Sequence, residues 1–86
     1  MNMDIGWLWI DRDMKKPLTQ KIEEGLKAFK DKYEHEAEYC LVNMTDAQSE
    51  DLENIAKTCN VYVQAHRFIL PNSLWIGFDG LGEMKS

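Results

Sequence analysis

Ile5-Gly6-Trp7-Leu8-Trp9-Ile10-Asp11 and Phe68-Ile69-Leu70-Pro71-Asn72-Ser73-Leu74-Trp75-Ile76-Gly77-Phe78 are the stretches whose reading decides the fold. Together they hold all three tryptophans. Each is too short to span a bilayer, and both are rich in aromatic and β-branched residues, so both read as strands of one sheet. Successive side chains of a strand point to opposite faces. Trp7 and Trp9 therefore share one side, and Leu8 and Ile10 the other. A strand that is apolar on both sides needs cover on both, so what shelters the indoles decides whether the domain closes on itself or needs a partner.

Outward from these strands, the pattern alternates between periods. Lys16 precedes Pro17 and is biased away from helix, whereas proline suits a first helical turn. Leu18, Ile22, Leu26, Phe29 and Tyr33 then recur at helical spacing, which predicts a helix over 17–33. Gly25 lies beside that stripe, where it permits close approach to the sheet. A second strand is expected over 37–43. Thr45 with Gln48 fits a capping box opening a second helix over 46–58, and Asn60 is a left-handed stop. A third strand is expected over 61–70, a turn at Pro71-Asn72-Ser73 and a fourth strand over 74–79. Residues 80–86 read as a frayed tail of a single domain spanning 1–86.

The order β-α-β-α-β-β predicts an α/β fold, a four-stranded mixed sheet with two helices. The first three strands are expected to be parallel, and the last two antiparallel across a tight turn. Strand order 1-2-3-4 puts both helices on one face and leaves the other bare. Order 2-1-3-4 buries strand 1 centrally with helices on both faces, and the doubly apolar strand 1 favours it. Alternation groups Leu8, Ile10, Cys40, Val42, Val61, Val63, Ala65, Ile76 and Phe78 under helix 1. It groups Trp7, Trp9, Tyr39, Leu41, Tyr62, Gln64, His66, Phe68 and Trp75 on the other face. A one-residue slip would exchange the sets within a strand.

Composition narrows the function. The chain has 86 residues and a net charge of −5, with 44% hydrophobic and 29% charged residues, ordinary for a soluble globular protein. The acidic balance argues against nucleic-acid backbones and anionic membrane surfaces. No secretory signal or membrane helix is read, and two cysteines are too few for a disulfide scaffold, so a cytoplasmic location is expected. Seven of the ten basic residues lie within 12–32, whereas 33–56 carry acidic residues and no Lys or Arg. The ordinary reading is two solvated helix faces. The sharper one is association of a basic surface with an acidic one.

Three clusters are candidates for chemistry. Trp7, Trp9, Tyr39, Tyr62, His66 and Trp75 form an aromatic sheet face, suited to packing under helix 2 or to docking a protein. Asp11 and Asp13 lie just past strand 1, at the edge where sites form in open α/β sheets, and with Asn43 and Thr45 nearby they have the oxygen chemistry for Mg²⁺. The plain alternative is loop carboxylates. Cys40 and Cys59 read as small apolar packing groups, and no His/Cys spacing fits zinc. No phosphate loop is present, and no cofactor is expected.

The Asp-x-Asp after an apolar strand resembles the haloacid-dehalogenase-like phosphatases, but Met14 and Lys15 stand where their glycine and threonine follow. Trp7-Leu8-Trp9-Ile10-Asp11, Cys40-Leu41-Val42-Asn43 and Ile69-Leu70-Pro71-Asn72-Ser73-Leu74-Trp75-Ile76-Gly77 are together similar to a group of small prokaryotic α/β proteins with a W-x-W/Y-x-D start and an I-L-P-N-x-x-W-I/L-G finish. That resemblance implies the fold and no activity. The sequence thus favours a non-enzymatic interaction module, as a homo-oligomer or with another protein, through the aromatic face or an edge strand. The alternatives are a small Mg-dependent phosphate-handling enzyme using Asp11 and Asp13, and an acidic protein binding a basic partner.

Overall fold

A computed structural model describes residues 5–78. The order is β1 (Ile5–Ile10), α1 (Leu18–Tyr33), β2 (Tyr39–Asn43), α2 (Leu52–Cys59), β3 (Tyr62–His66) and β4 (Ser73–Phe78). The expected α/β class, four-stranded mixed sheet and two helices are all present. The expected tail lies outside the described residues.

Helix α1 follows the periodicity. Leu18, Ile22, Gly25 and Phe29 are buried along one stripe, and Glu34 ends the helix in the left-handed region with its N–H donating to the Lys30 carbonyl at 2.7 Å. Helix α2 is shorter than expected. Residues 44–50 form turns, and Gln48 N–H donates to the Thr45 carbonyl, so this pair closes a turn and is no capping box. Asp51 is the cap, its side chain accepting from Asn54 N–H at 3.2 Å. Asn60 stops the helix at φ 58°, as its residue type predicts.

The sheet order is β1-β4-β2-β3, which corrects both orders considered from sequence. β4 is antiparallel to β1 on one side and to β2 on the other, and β2 is parallel to β3. Strand β1 is thus an edge, and β3 and β4 are antiparallel in direction without pairing. Central placement falls to β4, whose Leu74, Ile76 and Phe78 are buried in the core and whose Ser73 and Gly77 are buried on the other side. The connection reaching β4 closes on a Leu70–Ser73 turn, in which Ser73 N–H donates to the Leu70 carbonyl and Asn72 takes φ 63°. Proline followed by a residue with positive φ is the signature of a type II turn.

Both helices cover one face, rather than the two faces that order 2-1-3-4 implied. One core joins Leu18, Ile22 and Phe29 of α1 and Ile55 of α2 to Cys40, Val42, Val63, Leu74, Ile76 and Phe78 of the sheet. Gly25 marks the closest approach of α1. A Cβ there would lie 2.6 Å from Ile76 Cδ1 and 3.0 Å from Trp9 Cδ1.

Candidate interaction surface

Helix-side burial sorts the strands. Cys40, Val42, Val63, Ile76 and Phe78 face the helices, as alternation predicts, and Leu74 joins them. For β1 the expected sets are exchanged. Trp7 and Trp9 pack on the core, whereas Leu8 and Ile10 are 46% and 49% exposed. The two indoles join an aromatic cluster with α1. Trp7 sits 5.4 Å from Trp9, 6.2 Å from Phe29 and 6.2 Å edge-on from Tyr33, ring centre to ring centre. The Trp9 indole N–H is buried there with no hydrogen-bond partner among the described residues. The physical reason for the exchange is register. Trp7 opposes Ile76 and Trp9 opposes Leu74, and directly opposed residues share a face.

The face left uncovered among the described residues therefore presents Leu8 and Ile10 from β1, Trp75 from β4, Tyr39 and Leu41 from β2, and Tyr62, Gln64 and His66 from β3. Of the residues expected on an aromatic face, the structure brings together Tyr39, Tyr62, His66 and Trp75, and removes Trp7 and Trp9 to the core side. Leu8 and Ile10 stand on the face opposite to the expected one, because alternation alone cannot orient a strand that is apolar at every position. Trp75 is 37% exposed and Tyr62 62%. Trp75 lies across Gly6, where a Cβ would overlap its indole ring. Leu8 pairs with Trp75, and Leu41 pairs with Trp75 on its other flank, so an indole is framed by two leucines. At the far edge, Tyr62 hydroxyl donates to Gln64 Oε1 at 3.1 Å, and His66 Nδ1 accepts from Phe68 N–H at 3.3 Å.

No Asp, Glu, Lys or Arg occurs in any of the four strands. Antiparallel sheets with one wet face usually place polar residues there. Here the outward face is mostly apolar or aromatic, with the short polar rim of β3 at one edge.

One end of this face is closed by a polar lock. Buried Asn43 donates from Nδ2 to the Ile69 carbonyl at 2.8 Å and accepts Asp46 N–H on Oδ1 at 2.9 Å. Asp46 in turn accepts Asn72 N–H at 2.6 Å. The β3–β4 connection is thereby tied to the end of β2.

Asp11 and Asp13, the expected metal ligands, lie on the β1–α1 loop. Asp11 Oδ1 accepts Asp13 N–H at 3.0 Å, and its Oδ2 pairs with Lys16 Nζ at 2.9 Å. Lys16 also reaches Glu24 Oε1 at 2.6 Å. The Asp13 N–H bond and then the Lys16 ammonium hold the Asp11 carboxyl below its usual range. Asp13 Oδ1 accepts Lys15 N–H at 3.0 Å. β4 separates β1 from β2, so Asn43 does not come beside this pair through strand adjacency. Among the described residues, no group of three or more His, Cys, Asp or Glu is placed to hold a metal ion. Cys40 is fully buried, and burial pushes its thiol up to about 12.

No protein-family model, curated protein or solved structure matches the chain. No helix among the described residues is long and apolar enough to cross a membrane.

Proposed function

We propose that this protein is a non-enzymatic interaction module that self-associates through its uncovered sheet face. The observation that carries this reading is the combination of exposed Leu8, Ile10, Trp75 and Tyr62 with strands that contain no charged residue, on a chain of 10 basic and 15 acidic side chains. Contiguous exposed apolar patches mark binding sites. Depletion of charge with enrichment of Trp and Tyr is the composition of an interface core. Two copies with net charge −5 repel overall, and a charge-free face is where such copies meet at least cost.

Size sets the strength. Four strands about 4.8 Å apart and roughly 18 Å long give a footprint on the order of 350 Å², below the ~800 Å² per partner of a standard interface. A footprint this small fits a reversible dimer with a dissociation constant on the order of tens of micromolar. The outer edge of β1, unpaired among the described residues and carrying no lysine or proline to block strand addition, can extend the contact.

Sedimentation over a concentration series tests this. A dimer that weakens in both Leu8→Glu and Trp75→Glu, with unchanged far-ultraviolet dichroism, is expected. A monomer at high micromolar concentration would remove the proposal. Association that disappears with salt and ignores both substitutions would instead favour pairing of the basic and acidic surfaces. Use of Asp11 and Asp13 for metal-dependent chemistry has less support, since Asp11 is already engaged by Lys16.

A further inference from the structure

Strand β1 is an edge of the sheet, and the hydrogen bond at its end fixes the phase of its backbone. Asp11 N–H donates to the Asn72 carbonyl at 3.0 Å, and Asp11 opposes Asn72 when the β1–β4 register is continued by one residue. Along an antiparallel pair, the residues that bond a given neighbour alternate. Asp11, Trp9, Trp7 and Ile5 therefore turn N–H and C=O toward β4, and Gly6, Leu8 and Ile10 turn theirs away from it. These outward groups have no partner among the described residues. The register with β4 is unbroken, and β1 has no charged residue or proline, so the usual devices that blunt an edge are missing from it. The opposite edge is shorter. Tyr62 N–H donates to the Glu38 carbonyl at 3.0 Å, so Tyr62, Gln64 and His66 bond β2, and only Val63 and Ala65 of β3 turn their groups outward.

The outward groups of β1 complement themselves. With Leu8 opposite Leu8 in antiparallel register, Gly6 of each copy faces Ile10 of the other, and each such pair exchanges two N–H···O=C bonds. The side chains suit the same register, because directly opposed residues share a face. Ile10, 49% exposed, comes beside the second copy's Gly6 and the Trp75 indole that lies across it. Leu8, 46% exposed, meets its own counterpart. A β1-to-β1 contact is closed by a two-fold axis, whereas a β1-to-β3 contact is head-to-tail and propagates. That two-fold stands perpendicular to the sheet, so both open faces lie on one side of it. The footprint of about 350 Å² per copy becomes about 700 Å², near the ~800 Å² per partner of a standard interface.

We propose that β1 pairs edge to edge with β1 of a second copy, antiparallel and centred on Leu8, making one continuous eight-stranded sheet from two four-stranded ones. The widened face then closes on a second such sheet, giving a tetramer. That last contact rests on the self-association through the open face proposed above, and the edge pair stands without it.

The test is isotope-filtered magnetic resonance on a mixture of labelled and unlabelled full chain, which reads contacts between copies only. In this register Trp7 and the second copy's Trp9 form a non-hydrogen-bonded pair with Cα atoms about 4.5 Å apart. An intermolecular signal between their Hα protons is expected, with the Leu8 and Ile10 amides gaining exchange protection as concentration rises. Leu8→Pro deletes an outward N–H and spares the β4 ladder, and Leu8→Ala controls for the lost side chain. In sedimentation Leu8→Pro should associate about tenfold more weakly than Leu8→Ala. Tyr62→Glu, on the open face of the far strand, should remove the tetramer and leave the edge dimer with its Trp7–Trp9 signal. Association without that signal, or equal association of Leu8→Pro and Leu8→Ala, overturns the edge pair and leaves the face contact standing. An edge signal in a dimer that never proceeds to a tetramer upholds the edge pair and removes the face contact. A monomer at high micromolar concentration overturns both.

Discussion

The indole of Trp75 lies over the Cα of Gly6, so that a single methyl group at position 6 would overlap it. Gly6 is thus the seat of the largest side chain on the open face. Gly6→Ala relieves the entropic weakness of glycine in a strand, worth about 0.5–1 kcal/mol, but must tip the indole outward. The expected result is little change in melting temperature, with Trp75 more accessible to acrylamide quenching. A Trp7→Phe, Trp9→Phe background isolates the signal. Quenching unchanged from the parent would contradict the seat.

Gly25 gives the opposite balance. Alanine is favoured over glycine in helices by about 1 kcal/mol, yet a Cβ there meets Ile76 at 2.6 Å and Trp9 at 3.0 Å on the buried side. Overpacking typically costs about 1–3 kcal/mol, so Gly25→Ala should be net destabilising in urea unfolding. A stabilised variant would mean that α1 stands farther from the sheet.

The Asp11–Lys16–Glu24 cluster sets a pH window. Asp13 N–H and Lys16 lower the Asp11 carboxyl, and Lys16 then Gln20 lower Glu24. Both therefore contribute stability that is present above the ordinary carboxylate range and is lost as pH falls through their depressed folded values. Lys16 is raised, first by Glu24 and then by Asp11. Its contribution is present below the ordinary lysine range and is lost only as pH climbs past it. Carbon-detected titration should find Asp11 below the usual aspartate value and returning toward it in Lys16→Met. An Asp11 that titrates normally in the parent would show the pair to be open in solution.

The two thiols should differ. Cys40 has no exposed surface and a strongly raised thiol, whereas Cys59 is partly exposed, with its thiol raised first by burial and then by Glu23. Since the thiolate is the reactive form, a disulfide reagent at mild alkaline pH should titrate one thiol slowly in the native protein and both after unfolding. Rapid reaction of both would place Cys40 outside the core.

Local structure was legible because each local signal had one dominant physical cause. The Leu18–Tyr33 stripe, the left-handed stop at Asn60 and the Pro71-Asn72 turn needed no distant contact to be read. The second helix starts later than its sequence predicts: Asp46 and Ala47 suit a helix, but Asp46 instead holds Asn72. The candidate face was half legible. Tyr39, Tyr62, His66 and Trp75 share a face as alternation predicts, since β2, β3 and β4 each have a clear inner set to oppose them.

By itself the sequence determined the succession of strands and helices and the mixed character of the sheet. Tertiary structure alone decided that β4 enters between β1 and β2, that both helices take one side, and that Leu8 and Ile10 rather than Trp7 and Trp9 meet solvent. Local periodicity fixes which residues of a strand travel together, but a uniformly apolar strand such as β1 has no inside of its own. Its orientation is set by the partner across the ladder, here Leu74 and Ile76 of a strand more than sixty residues away.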